Sequence, residues 1–523
     1  MKSYKSHLLS TKSFGEIQSK NYRPVMRSSA AFPLIHKPGK LFSIYTFMGY
    51  WLRKRNINLV TVLVTVRNVD GKKILQKSLE VDNVKSYILS SFDVLEDNKF
   101  EFIGSIELEI FSAVDMVFPY PAITFGIKGT NGLTFVHTCG RIYNDFDDMK
   151  SNTEQTVPET GFDVYNGNSY TPFFAFVNGP IAIENEEIEL EYFDIHGSKV
   201  VKKKKIENVK PYGLGWIELL DKNEKNEISD TFRTCVKIRH NFEGFFPRFV
   251  AGNILRNYED ISLTHSFYDT SVDKSNEAIW KNPSKEKYYD SVIAIPFDSH
   301  FNETELVVYP NFVYSPTSLH FEVYSSEGEF LELSKKSIEV ANGNDKLLHI
   351  GFHEMFPSLK DTIKNGMVKI ICSSEGNIPA RLKFGLNFIR QNNGTNLPSN
   401  ICFNAHVAND KLLKKPGGFM WCPLFDPYKQ KIFLHNTSFT KEKFRDAKIV
   451  IEVYRESDDK KIESTINLSY NGTTEVLCPM NLKIDQFLNG ESGWISFASD
   501  TPFVKGFYIT DFDKGVIGAD HLY

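Results

Sequence analysis

The chain alternates apolar and polar residues in short runs that end at turn-forming residues. Four segments share one pattern: VTVLVTVRNVDGKKI from Val60, EIELEYFDIHGSKV from Glu187, SLHFEVYSSEGEFL from Ser318 and KIVIEVYRESDDKKI from Lys448. Their first halves are rich in the β-branched and aromatic residues that fit a pleated sheet. Gly, or Asp in the last copy, follows where a tight turn favours positive φ. Each segment therefore predicts a β-hairpin.

The four hairpins recur at a regular interval. Gly71, Gly197, Gly328 and Asp459 mark the turns and lie 126, 131 and 131 residues apart. A fixed period of this kind is the signature of an internal repeat. Four copies fill the 523 residues.

Two further landmarks follow each hairpin in the same order. A second alternating strand begins at Gly104, Thr234, Gly366 and Gly493. Behind it comes a Pro with a Gly four to six residues later, as in a bent or bulged strand: Pro121 and Gly126, Pro247 and Gly252, Pro379 and Gly385, Pro502 and Gly506. Short helical or turn-like pieces separate hairpin and second strand near residues 86–95, 347–356 and 482–488. They are too short for an α/β layer.

These landmarks predict an all-β fold: a tandem array of about four antiparallel β-sandwich domains, immunoglobulin-like in the broad sense, with short helical crossovers. A β-propeller would need repeats of roughly 40 to 50 residues. Polar, turn-rich linkers at residues 144–160, 269–287 and 391–400 predict the boundaries. We expect a basic, Ser-rich N-terminal arm at residues 1–40 and sandwiches at 41–150, 151–285, 286–398 and 399–523.

Composition narrows the classes of function. The 61 Lys and Arg against 65 Asp and Glu give no general attraction for nucleic acid. No run of residues is apolar enough for a membrane helix, and the basic start lacks the apolar core of a secretory signal. The six Cys are scattered without a CxxC pair, which is typical of a reducing compartment. We therefore expect a cytoplasmic protein that binds neither nucleic acid nor membrane.

A histidine near the end of each copy gives the first candidate site. These are His137, His265, His406 and His521, with nearby polar partners Arg141, Asp269 and Asp410. Imidazole beside a carboxylate acts as a general base or holds a metal. On a strand, residues four apart lie about 13 Å apart, so a shared ion would need a turn. The alternative is a histidine bonded to backbone at a domain junction, and we predict no metal or other cofactor.

Aromatic and basic residues give the second candidate. Arg239, His240 and Arg248 surround a Phe-rich stretch, residues 242–249, and Trp280 falls in a polar linker. Such combinations stack on sugars or form protein hot spots, but Phe in a sandwich is ordinarily core. The Lys202–Lys205 run is interpreted as a solvated edge strand.

The sequence contains no GxSxG, GxGxxG, HExxH, zinc or calcium-loop motif. The absence of these motifs argues against an enzyme and favours a non-catalytic binding or scaffold protein with a carbohydrate or protein ligand. A glycan- or acyl-acting enzyme with a His/Asp site at a domain junction is the alternative. A structural subunit of a virion or appendage is a third hypothesis. Ligand and oligomeric state stay open.

Overall fold

The fold is taken from a computed structural model. It describes residues 24–95, 99–118, 121–137, 140–143, 159–165, 169–220, 233–246, 248–255, 260–268, 279–281, 289–310, 316–340, 346–374, 377–379, 383–390, 397–512 and 515–523.

The first half of the described chain contains twenty strands and two short helices. The strands are β1 (Arg27–Lys37), β2 (Leu41–Met48), β3 (Val60–Asn68), β4 (Lys73–Val81), β5 (Ser86–Ser90), β6 (Phe102–Phe111), β7 (Thr124–Lys128), β8 (Leu133–His137), β9 (Arg141–Ile142), β10 (Glu159–Tyr165), β11 (Tyr170–Val177), β12 (Glu187–Asp194), β13 (Lys199–Lys205), β14 (Leu214–Glu218), β15 (Arg233–Arg239), β16 (Phe245–Phe246), β17 (Val250–Leu255), β18 (Ile261–His265), β19 (Phe267–Tyr268) and β20 (Ile279–Lys281). The helices are α1 (Tyr50–Arg55) and α2 (Ser91–Val94).

The second half of the described chain contains nineteen strands, three α-helices and a 3₁₀ turn. The strands are β21 (Ser291–Phe297), β22 (Glu303–Val308), β23 (Thr317–Tyr324), β24 (Phe330–Leu333), β25 (Ile338–Val340), β26 (Leu348–Gly351), β27 (Gly366–Ser374), β28 (Asn377–Pro379), β29 (Lys383–Ile389), β30 (Ile401–Asn404), β31 (His406–Val407), β32 (Gly418–Leu424), β33 (Gln430–Asn436), β34 (Ala447–Arg455), β35 (Lys461–Leu468), β36 (Thr473–Glu475), β37 (Gly493–Ser499), β38 (Val504–Thr510) and β39 (Gly518–His521). The helices are α3 (Phe352–Met355), α4 (Asp410–Leu413) and α5 (Asn481–Leu488), and the 3₁₀ turn is Lys441–Lys443.

One order of eight strands occurs four times. If the main strands of each copy are numbered one to eight, one sheet has the order 4-3-6-1 and the other has the order 5-2-7-8. The last copy has it without additions, as β35-β34-β37-β32 and β36-β33-β38-β39. In the first copy β1 pairs with both β6 and β2, which joins the two sheets into one. All the pairings between the described strands that join these sheets are antiparallel.

The predicted all-β tandem array of antiparallel sandwiches is therefore confirmed. Strand three lies beside strand six, and strand two lies beside strand five. Immunoglobulin domains have the same neighbours, since their strand C pairs with F and their strand B pairs with E. Strand one lies beside strand six and strand seven beside strand two, and the immunoglobulin order lacks these neighbours. The predicted crossovers are α2 and α3, each preceded by a fifth strand, and α5.

The chain divides into two compact units. Unit 1 comprises residues 1–192, 199–268 and 456–459, and unit 2 comprises residues 193–198, 269–455 and 460–523. Much of the predicted linkers at 144–160, 269–287 and 391–400 lies outside the described residues, so those boundaries stay predictions. Two short strands pair across the predicted boundaries. Ile279–Lys281 pairs with Asn377–Pro379, and Ile401–Asn404 pairs with β29 of the third copy.

The predicted N-terminal arm differs from the structure over Arg27–Lys37. This segment is strand β1, which pairs with β6 over ten residues from Arg27 to His36 and is buried along nearly all its length. The prediction relied on the basic composition of residues 1–40 and overlooked the apolar stretch AAFPLI, which has lysines on either side of it. Residues 1–23 lie outside the described part of the chain.

Hairpin turns dock on the neighbouring copy within each unit. In unit 1, Val69 O accepts a hydrogen bond from Leu214 N at 3.0 Å. In unit 2, Ser326 O accepts one from Thr473 N at 3.1 Å. The turn glycines, Gly71 with φ +80° and Gly328 with φ +89°, lie against backbone of the next copy. Glycine is required there for both its φ and its lack of a side chain.

Substitution of Gly328 tests this docking. A Cβ at Gly328 would lie 2.3 Å from Tyr470 O, whereas a Cβ at Gly490, with φ +84°, meets nothing within 4 Å. We expect Gly490→Ala to lower the free energy of unfolding by about 1 kcal/mol through φ alone, and Gly328→Ala by about 2 to 4 kcal/mol because overpacking adds to it. Urea denaturation measures both. Equal losses would mean that the turn does not depend on a close contact.

Candidate functional site

The four predicted histidines differ in their strand register. In strand seven of every copy a glycine recurs: Gly126, Gly252, Gly385 and Gly506. The residue two before it pairs with His137 in the first copy and with His265 in the second. In the third copy that partner is Asn404, and in the fourth His521 pairs with the residue after the glycine. Only His137 and His265 are equivalent by register.

His137 and His265 also lie together, both within unit 1. Their ring centroids are 4.5 Å apart and the rings are nearly perpendicular, at 87°. His265 is buried and His137 is half-buried. The strands that end in them, β8 and β18, are held together by a 2.7 Å hydrogen bond from Thr134 Oγ1 to Ile261 O.

The position of the next carbonyl sets the tautomer of His265. Its Nδ1 lies 2.6 Å from Ser266 O, and since a carbonyl only accepts, Nδ1 carries the hydrogen. Nε2 of the neutral ring then carries the lone pair. His521, in unit 2, makes the same kind of bond from Nδ1 to Leu522 O at 2.9 Å.

His406 and Asp410 do not form a hydrogen-bonded dyad. His406 is buried on β31, beside the Phe503 ring at 6.1 Å, and burial lowers its pKa well below the ordinary value, with help from Lys505 and Lys415. Asp410 is exposed at the start of α4. Asp269, the predicted partner of His265, lies outside the described residues.

The phenylalanines of the second candidate group are core, as their ordinary interpretation predicts. Phe242, Phe245 and Phe249 are buried in one hydrophobic cluster of the second copy. His240 stacks on the Phe242 ring at 4.7 Å and accepts the Phe242 N–H at Nδ1. Burial lowers the pKa of His240 to about 4.

The arginines of the two candidate groups lie in separate environments. Arg239 forms ion pairs with Glu191 at 3.3 Å and Glu189 at 3.5 Å. Arg141 is buried on β9 with its guanidinium 5.7 Å from the Tyr143 ring centroid, and Arg248 is half-buried. The backbone of Trp280 belongs to β20, and its side chain is not among those described.

The Lys202–Lys205 run lies on an edge strand, as predicted. Strand β13 ends the order of its sheet, and its residues alternate between exposed and half-buried. Lys203 pairs with Glu187 on the adjacent β12 at 2.8 Å. A solvated edge strand accounts for the run.

A buried polar position on strand six was missed by the sequence analysis. It is the fourth residue of the second landmark, and it is buried in all four copies: Glu107, Lys237, Lys369 and Ser496. The signal was present, because a polar residue recurs there between apolar neighbours. Each of these strands is buried on both faces around this position.

In the first copy the buried group is the carboxylate of Glu107. Arg67 contacts it at 2.9 Å and Arg27 at 3.3 Å. The Arg67 guanidinium also lies 5.0 Å from the ring centroid of Tyr212 in the second copy. Burial raises the pKa of Glu107, and Glu109 adds to this, while the two guanidinium groups oppose it. The two sandwiches of unit 1 thus meet around an ion pair.

In the third copy the same position holds the ammonium group of Lys369 in an aromatic enclosure. Its Nζ donates to Tyr470 Oη at 3.2 Å and to Asn471 Oδ1 at 3.3 Å. Four ring centroids lie 5.2 to 5.8 Å from Nζ: those of Tyr289, Tyr324, Phe444 and Tyr470. Glu322 lies opposite Lys369 in the sheet register. Cation–π attraction and hydrogen bonds compensate the buried charge.

Comparisons with known proteins give no family. No protein-family model and no curated protein matches the chain. Among solved structures, the chain is similar to the crystal structure of a tetra-tandem repeat in the extending region of a large adhesion protein, at 10% identity over 88% of this chain and 90% of that chain, with a TM-score of 0.11. At that score the likeness carries no argument, and the fold rests on the strand pairing.

The described chain gives one further fact about membranes. Its longest α-helix is α5, with eight residues, and no described helix has the length and hydrophobicity to cross a bilayer.

The pH dependence of stability tests the Lys369 enclosure. Burial lowers the pKa of Lys369 to about 8, although Glu322 opposes this. Between pH 8 and 10.5 the unfolded chain binds a proton that the folded chain has released, so stability rises with pH. We expect wild type to gain about 2 kcal/mol from this group between pH 7 and pH 10, and Lys369→Met to lack that gain. Chemical denaturation at each pH measures the difference curve.

The control for Lys369→Met is Lys364→Met, at an exposed position of the same copy. It removes a lysine without touching the enclosure, and it keeps every tyrosine that titrates in the unfolded chain. A wild-type gain that survives in Lys369→Met would assign the pH dependence to another group.

Acid stability tests the burial of His240. Because the folded-state pKa of about 4 lies below the ordinary 6.5, the stability from keeping this ring neutral is complete above pH 6.5 and is lost as pH falls towards 4. We expect His240→Asn, whose Oδ1 can replace Nδ1 as acceptor, to reduce the loss between pH 7 and pH 4.5 by about 2 kcal/mol. The exposed His320→Asn is the matched control. Equal acid sensitivity of both variants would contradict a neutral, desolvated His240 ring.

Proposed function

We propose that the protein is a non-catalytic, multi-domain β-sandwich protein for binding or scaffolding, with a protein as the favoured ligand and a carbohydrate as the alternative. The observation that carries the proposal is the docking of neighbouring sandwiches within each unit. In unit 2 the docked Gly328 turn and the buried Lys369 join the third and fourth copies. Such junctions are suited to holding a surface in fixed geometry.

The free-energy cost of burying the Lys369 charge supports a fixed junction between the third and fourth copies. An ammonium group removed from water is tolerated only where hydrogen bonds and neighbouring charges or rings replace its hydration. Lys369 is 2% exposed, and its partners Tyr470 and Asn471 come from the next copy. Separation of the two sandwiches would leave the enclosure open, so their relative orientation is specified.

The state of the candidate histidines favours binding over catalysis. A general base needs a pKa near the working pH and access to substrate. His406 is buried with its pKa well below that range, and Asp410 is exposed on α4. His240 packs into the Phe core. These placements support the non-catalytic hypothesis over the His/Asp enzyme.

Exposed apolar side chains of unit 1 favour a protein ligand over a carbohydrate. Ile74, Phe100 and Ile103 are 54%, 69% and 47% exposed. Ile74 and Phe100 line a concavity together with Leu75, Val94, Leu95, Glu101 and Phe102. Contiguous exposed apolar surface is typical of protein interaction sites, whereas sugars need more polar partners.

The thiols support a reducing compartment, such as the cytoplasm. Cys235, Cys372, Cys402 and Cys422 are buried free thiols, and Cys478 is an exposed one. Burial raises the pKa of Cys372 to about 12, which keeps it protonated and unreactive.

A binding and turnover assay on the same protein tests the proposal. We expect saturable binding to members of a peptide array, no binding to a glycan array, and no hydrolysis of glycoside or ester substrates. Phe100→Ser should weaken the peptide binding at least tenfold, because an exposed aromatic anchor is lost. Leu482→Ser, at a position 60% exposed in unit 2, is the matched control.

Two outcomes would contradict parts of this proposal. Turnover proportional to protein concentration, abolished by His406→Ala or Asp410→Ala, would establish the enzyme hypothesis. Glycan binding in the absence of peptide binding would replace the protein ligand with a carbohydrate. Light scattering on the same sample measures the oligomeric state, and a large, concentration-dependent assembly would favour the structural-subunit hypothesis.

A further inference from the structure

We propose that His137 and His265 form a binding site for one divalent transition-metal ion within unit 1, of the class Cu²⁺, Ni²⁺ or Zn²⁺. Imidazole nitrogen is a preferred ligand of these borderline ions. The proposal is independent of the ligand-binding function above. It rests on the register, the proximity and the tautomer of the two rings.

Register makes the pair a product of the repeat. Each histidine ends the eighth strand of its copy and pairs with the residue two before the recurring glycine of strand seven. Because β8 and β18 are joined by the Thr134–Ile261 bond, equivalent positions of two copies meet. The paired strands hold the backbone of both histidines in place, which reduces the conformational entropy lost when the rings coordinate an ion.

Proximity allows a shared ion. A ring nitrogen of His137 and one of His265 lie within 4.8 Å of each other. Two imidazole nitrogens at about 2.0 to 2.1 Å from one ion are about 3 Å apart. His137 is half-buried, so rotation about its side-chain torsions can close the difference. Water would fill the remaining coordination positions.

The tautomer of His265 matches that of a metal ligand. Metal-bound histidines ordinarily donate the second ring N–H to a carbonyl or carboxylate, which orients the ring and leaves the other nitrogen free to coordinate. Ser266 O accepts this bond from Nδ1 at 2.6 Å. Nε2 of His265 is therefore the coordinating atom. An ion bound there would connect the eighth strands of the two sandwiches of unit 1.

The test is a Cu²⁺ and Zn²⁺ titration of untagged, chelator-treated full-length protein against a competing chromophoric chelator. We expect one tightest site per chain and a melting temperature that rises with metal. Electron paramagnetic resonance of the Cu²⁺ form should show hyperfine coupling to two imidazole nitrogens. Binding should weaken from pH 7.5 to pH 5, since protons compete for the ligands.

Variants decide which residues bind. His137→Phe and His265→Phe keep a planar ring and should each weaken the tightest site at least tenfold, while the exposed His320→Phe should leave it unchanged. If His265→Phe fails to fold, the half-buried His137→Phe and the wild-type resonance spectrum still decide. Unchanged affinity in His137→Phe, or a spectrum without two nitrogen ligands, would overturn the proposal and leave the rings as a packing pair.

Discussion

The burial of a polar residue on the sixth strand of each copy is the constraint on which the rest of the structure depends. Strand six pairs with strands three and one, so its backbone is satisfied within the sheet. Its apolar residues face the sandwich core, and the alternate residues face the other way yet are equally buried. A charge in such a place is stable only if its surroundings replace water. Neighbouring chain must therefore cover it in a defined way.

The first and third copies meet this constraint with opposite charges. Glu107 is neutralised by two guanidinium groups, one of which also stacks on the next copy, whereas Lys369 is surrounded by rings and oxygen atoms. In the fourth copy the position is neutral, and Ser496 donates to Glu452 within its own sheet. A mismatched pairing of copies would place a carboxylate among tyrosines or an ammonium against arginines. Side-chain identity at one position thus distinguishes junctions whose backbones share one strand order.

Sequence pattern predicts the parts of this fold that are local. Turn chemistry at Gly71 and Gly328 and strand alternation are determined by neighbouring residues, and each is found in the structure. The recurrence of these local patterns marks the copies. Strand β1 was concealed because its ten-residue pairing with β6 joins segments about 75 residues apart, which no local pattern records. The enclosure of Lys369 is likewise non-local, since Tyr470 and Asn471 lie about a hundred residues further on.

The histidines show that sequence spacing does not predict which residues of a repeat are structurally equivalent. Sequence spacing groups four of them as equivalents, yet equivalence in a sheet is decided by register against the partner strand. The return from strand seven to strand eight differs in length among the copies. His521 therefore pairs with the residue after the glycine, and His406 lies on a separate strand. In the first two copies the return also differs in length, from Lys128 to Leu133 and from Ile254 to Ile261, yet His137 and His265 occupy one register position and their rings meet. A site in a repeat protein therefore follows from matched register, and a shared residue type is not sufficient.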